Sequence, residues 1–191
     1  CRARYCNIDV ISFKMPNWAF NADVNAAHCR RLTLALACTL ITGIMKIVIE
    51  TNVAAPIRDV WQAFNNPDDI VQWDATNDWH TTWASNDLNI GGKLLQRMET
   101  TGGGEGFDVV ATYTQIEPDR LIEFRLNDGL IADRMVRLDF MENNGGVTVR
   151  QTFDSESNHP EIDQRSEWQA VLDRFARHVE SLVHFQTVSR A

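Results

Sequence analysis

The sequence predicts an α+β domain whose helices lie against one face of an antiparallel sheet. Three features carry that expectation: a strand followed by two short proline-initiated helices, a succession of alternating segments separated by turn residues, and a long amphipathic stretch at the C-terminus. All three lie after Met45.

"KIVIETNV" sets Ile47, Ile49 and Thr51 on one side and Val48, Glu50 and Asn52 on the other, the period of a half-buried strand. Pro56 then suits the first turn of a helix, where its missing N–H costs nothing, and Asp59 complements the positive N-terminal end. Ile57, Val60, Trp61 and Phe64 fall on one helical face. "NNP" stops that helix, and Pro67 opens a second with Ile70 and Trp73 on its apolar side. "WDATND" follows as a loop.

Strand-length segments come next: "WHTTWAS", "GGKLLQRMET", "FDVVATYTQIE", "RLIEFRLND", "IADRMVRLDFME" and "VTVRQTFDS". The turn signals between them include "TGGGEG", Pro118-Asp119 and "NNGG". Short turns between consecutive strands imply an antiparallel meander, giving about six to seven strands in all. The chain closes with a helix over about 161–185, whose stripe is Trp168, Leu172, Phe175, Val179 and Leu182.

Residues 1–44 differ from the remainder. They hold Cys1, Cys6, Cys29 and Cys38, all the cysteines in the sequence, and five basic against two acidic residues. From Met45 onward the balance is thirteen against twenty-four, within a net charge of −8. No zinc-ligand spacing links the cysteines, and the apolar run after Arg30-Arg31 is too short to span a bilayer. It also fits a secretory leader poorly, because no small-residue cleavage site precedes Met45. The expected division is therefore 1–44 as a non-native or disordered extension and 45–191 as the domain. The acidic balance argues against nucleic acid and anionic membranes as partners, and a cysteine-free domain is compatible with the cytoplasm.

The stretches "APIRDVWQAFNNPDDIVQW", Gly91-Gly92, "YTQIEPDRLIEF", "GGVTVRQTF" and "WQAVLDRFARHVESL" resemble, in this order, the START-like (SRPBCC, or helix-grip) superfamily. Within it, the branch named after activators of the heat-shock-protein-90 ATPase is the nearest likeness, over about 46–185. The resemblance implies a curved sheet wrapped around the C-terminal helix, with a mostly apolar cavity between sheet, long helix and short helices.

The side chains expected to line that cavity are Trp61, Phe64, Trp73, His80, Trp83, Met98, Tyr113, Phe124, Met135, Trp168 and Phe175. Met98 belongs with Leu94 and Gln96 if the apolar side of its strand faces inward. Burying an aromatic stabilises a fold whether it fills a core or walls a cavity, so residue type alone does not separate the two. On a strand, Asp78 and His80 would share a face, close enough for a carboxylate to orient the imidazole. "TGGGEG" lacks the Lys-Ser/Thr of a phosphate loop, and no serine stands in a nucleophile elbow. The expectation is a non-enzymatic module binding a small hydrophobic or amphipathic molecule, with no metal or other cofactor, no membrane span, and a homodimer left open. The alternatives are a polyketide-cyclase- or hydrolase-like enzyme using the same cavity, and a chaperone ATPase regulator.

A chain begun at Met45 is expected to melt at the same temperature as the full chain by circular dichroism. A loss of several degrees would show that residues 1–44 contribute to the fold.

Overall fold

The computed structural model describes residues 45–127, 133–156 and 159–189. The N-terminal 44 residues and their four cysteines lie outside the described residues.

The elements follow the predicted order. Strand β1 (Lys46–Val53) leads into helices α1 (Ile57–Asn65) and α2 (Pro67–Trp73). Strands β2 (Trp79–Asn86), β3 (Lys93–Thr100), β4 (Gly106–Glu117), β5 (Leu121–Asn127), β6 (Arg134–Asn143) and β7 (Gly146–Asp154) come next, and helix α3 (Glu161–Ser189) ends the chain. The strands form one antiparallel, curled sheet in the order β1-β7-β6-β5-β4-β3-β2. The fold is a helix-grip.

Local chemistry explains the joints. Asn66 caps α2 by accepting a hydrogen bond from the Asp68 N–H, with Pro67 at the first helical position. Asp119 takes φ +59° after Pro118, as the third residue of a turn closed by Arg120 N–H donating to Glu117 O at 3.0 Å. Gly146 has φ +141°, and a Cβ there would lie 2.1 Å from the Val53 carbonyl oxygen. Only glycine lets the start of β7 close on the end of β1.

Alternation sorts each strand into two faces. Ile47, Ile49 and Val53 of β1, Val147, Val149 and Phe153 of β7, and Val136, Leu138 and Phe140 of β6 are all buried on the inner face. Outward residues form ion pairs across strands, including Arg97 with Asp108 at 3.1 Å and Arg150 with Glu50. Helix α3 lies along β1 and presents Leu172, Phe175 and Val179 to the core. Its polar side chains also cover the free edge of β1. Arg165 Nη1 donates to Val48 O at 2.5 Å and Gln169 Nε2 to Glu50 O at 3.0 Å, while Glu180 Oε1 accepts from Ala54 N–H at 2.9 Å. An exposed strand edge is thereby closed to further pairing.

Phe175 is fully buried, with its ring 5.4 Å from Phe64 and 5.2 Å from Trp73. Phe175→Ala is expected to cost about 3–5 kcal/mol by chemical denaturation. A loss under about 1 kcal/mol would mean that the α3 stripe does not hold the core together.

Candidate functional site

Helix α2 ends at Trp73, whose indole is fixed on three sides. Its Nε1–H donates to Ala63 O at 3.1 Å, its ring stacks on Phe64 at 5.4 Å, and Phe175 meets it edge-on. The next residue, Asp74, is thereby turned against the sheet. Its carboxylate Oδ2 accepts from Thr81 Oγ1–H at 2.6 Å and from Gln96 Nε2–H at 2.5 Å. Backbone reinforces the placement, with Thr81 N–H donating to Asp74 O at 2.9 Å. Thr81 pairs with Met98 across β2 and β3, and Thr81 Oγ1 lies 2.9 Å from Met98 Sδ.

This acid sits on the inner face at the end of the sheet where burial is least complete. In β1, β6 and β7 the inner row is buried over most of its length, but Gln96 and Met98 of β3 and Phe107 and Val109 of β4 remain partly exposed. They share one face by register: Gln96 lies opposite Val109, and Met98 opposite Phe107. Trp79, at the start of β2, meets Phe107 edge-to-face at 5.0 Å. Helix α3 packs most closely along β1 and α2 along β2. Further along the same strands Leu94, Ala111 and Tyr113 are buried.

Burial raises the pKa of Asp74 above the usual aspartate value of 3.8, with the hydrogen bonds from Thr81 and Gln96 opposing the shift. Burial likewise raises that of Tyr113, whose hydroxyl donates to Asn86 Oδ1 at 2.9 Å. A second buried charge belongs to β6. Arg134 is inward-facing by register, forms an ion pair with Glu156, and lies over the Trp168 ring at 5.6 Å. Trp168 in turn stacks on Phe153 at 4.5 Å.

The expected cavity residues divide into three groups. Trp61, Phe64, Trp73 and Phe175 form one aromatic cluster around Phe140, with Trp61 5.3 Å and Phe64 5.6 Å from it. Met98, Tyr113, Phe124 and Trp168 lie on the inner side, Phe124 edge-on to Tyr113 at 6.1 Å. His80, Trp83 and Met135 do not join them. Met135 alternates with the buried Arg134 and Val136, so it lies on the outer face with Arg137 and Asp139. A bulge between Thr81 and Trp83 re-phases β2 and puts Trp83 opposite outward Arg97, leaving it 54% exposed. His80 pairs with Glu99 in the outer row, and its Nδ1 is enclosed without a hydrogen-bond partner among the described residues. Asp78 precedes the strand, is exposed, and receives Thr101 through its backbone carbonyl, so the expected Asp78–His80 pair does not form.

A separate cleft of about 60 Å³ is lined by Asp59, Gln62, Ala63, Asp69, Val179 and Leu182, and His178 Nε2 lies 2.8 Å from Asp69 Oδ1 beside it. It is several times smaller than the roughly 300–1,000 Å³ typical of small-molecule sites. Among the described residues no three His, Cys, Asp or Glu side chains gather to hold a metal ion.

The family model described as "Activator of Hsp90 ATPase homolog 1-like protein" matches residues 54–180. The chain belongs to this family. An AHSA1-like protein from Aeromonas hydrophila, solved by NMR, is 40% identical, with a TM-score of 0.66 over 72% of this chain and 94% of that one. A protein from Cytophaga hutchinsonii is 34% identical, with a TM-score of 0.60 over 73% and 94%. A protein from Chromobacterium violaceum shares the fold at 19% identity, with a TM-score of 0.64 over 71% of this chain and 98% of that one. A search of curated proteins finds no match.

The raised pKa of Asp74 makes a stability prediction. The folded state holds that proton to higher pH than the unfolded chain, so its contribution to stability falls as pH rises above about 4 toward the raised value. Asp74→Asn keeps the shape and removes the charge. It is expected to melt higher than the parent near pH 7, with the gap closing toward about pH 4. A lower melting temperature near pH 7 would show that the ionised acid stabilises the fold.

Proposed function

We propose that this AHSA1-like domain binds a small amphipathic molecule on the inner face of β2–β4. The observation that carries the reading is the break in burial along that face. Gln96, Met98, Phe107 and Val109 point the same way as a closed core yet stay partly exposed. Apolar side chains left open on an inward face, with a few polar groups at one end, are the usual composition of a ligand site. Met98 adds an adaptable, polarisable wall. Asp74, Thr81 and Gln96 supply the polar end, and Trp79 and Phe107 its aromatic side.

An enzyme using this cavity is supported less well. Among Asp74, Thr81 and Gln96, Asp74 is the one group that titrates as an acid, whereas acid–base turnover calls for a donor and an acceptor in distinct protonation states. Among the described residues, no helix is long and apolar enough to cross a membrane.

The test is a titration with N-pentyl dansylamide, a neutral amphipathic probe, read by tryptophan-sensitised dansyl emission. Saturable binding is expected. Met98→Ala should weaken it about fivefold, corresponding to roughly 1 kcal/mol of lost apolar contact. Trp83→Ala, on the outer face, should leave the dissociation constant unchanged. Absence of saturable binding, or loss of affinity on replacing Trp83, would place any site elsewhere.

A further inference from the structure

The hydrogen-bond capacity left over at Asp74 is one-sided. Both neighbours, Thr81 and Gln96, donate to the same oxygen, Oδ2. That arrangement keeps Oδ2 an acceptor, and in the ionised state that a bound cation favours, Oδ1 is an acceptor as well. No donor reaches Oδ1 among the described residues, and Oδ1 is not sealed from solvent. Thr81 has a single hydroxyl proton, and at 2.6 Å it belongs to the carboxylate, so the Met98 sulfur at 2.9 Å is left as an acceptor. Gln96 uses its amide nitrogen on Asp74, which turns its carbonyl oxygen away from the acid. With Asp74 ionised, its Oδ1, Gln96 Oε1 and Met98 Sδ are acceptors in want of donors, against one remaining amide hydrogen on Gln96.

Charge points the same way. The buried ion of the inner face, Arg134, is paired with Glu156. The charge of Asp74 has dipolar partners but no cation among its contacts. A carboxylate so placed is costly, and an ammonium group would offset that cost by both Coulomb attraction and charge-assisted hydrogen bonding. The rings of Trp79 and Phe107, in adjoining positions on the same face, present π surfaces that also favour a cation.

We propose that the polar head of the ligand is a protonated amine, seated on Asp74 Oδ1 with Gln96 and Met98 as further acceptors, and that its apolar body lies along Phe107 and Val109. This rests on the inner face being a binding site, and it assigns that site a chemical class: amphipathic amines.

The experiment compares dansylcadaverine, which carries a primary ammonium on a five-carbon chain, with neutral N-pentyl dansylamide, on the full chain and on Asp74→Asn. The parent should bind the cation about tenfold more tightly than the neutral probe. In Asp74→Asn that ratio should fall toward one, with a melting curve confirming the fold. If Asp74→Asn fails to fold, Asp74→Ala supplies the same comparison. Equal affinities in the parent, with both probes binding, would overturn the amine assignment and leave the binding site standing. A preference that survives loss of the Asp74 charge would also overturn it, by tracing selectivity to the general acidity of the domain. Failure of both probes to bind would overturn the site itself.

Discussion

The placement of Trp73 is the contact on which the rest depends. One indole joins three helices: α1 through the Ala63 carbonyl and Phe64, α2 through its own backbone, and α3 through Phe175. Stacked and edge-on aromatic contacts of this kind add roughly 0.5–1.5 kcal/mol each to the area they bury. A buried indole N–H with a partner also leaves no unsatisfied donor. The geometric result is larger than the energetic one. Fixing Trp73 fixes the direction in which the chain leaves α2, and that direction drives Asp74 against β2 and β3. The two indoles of "VWQAFNNPDDIVQW" are therefore packing residues first.

The inner face is packed unevenly along the sheet. Over β1, β7 and β6 the sheet is matched by α3 and the aromatic cluster, and the inner rows are buried over most of their length. Over β3 and β4, side chains facing the same way stay partly open. A fully packed interior needs no carboxylate. Asp74, whose neutral form is favoured by burial, breaks that economy at the edge of the open region. Such departures concentrate where a protein does something other than fold.

Much of the architecture was legible in the sequence because period-2 and period-3.6 patterns are local properties of the chain. Ile122, Phe124 and Leu126, or Val136, Leu138 and Phe140, announce a buried face without knowledge of any partner strand. The same alternation places Met135 outward with Arg137, and its apolar character does not override that geometry. Trp83 was misplaced because a bulge adds a residue without any composition signal, and one residue is enough to reverse a face. Asp74 was invisible for a different reason. In "WDATND" it has the sequence context of an ordinary loop aspartate, while its partners lie seven and twenty-two residues away. Their meeting depends on strand register and on the seating of Trp73, neither of which a single sequence states. The alternation of β3 places Gln96 inward beside Met98, but nothing in the sequence links it to an acid.

The methionines allow the account to be tested at the level of individual side chains. Met98 faces inward beside Thr81, Met135 lies on the outer face of β6, and Met45 is exposed at the start of β1. Methyl NMR of methionine-labelled protein, recorded while an amphipathic amine is added to saturation, reads them in one experiment. The account predicts a saturable shift of the Met98 methyl, with Met135 and Met45 unmoved. A shift confined to Met135 or Met45, with Met98 silent at saturation, would contradict it.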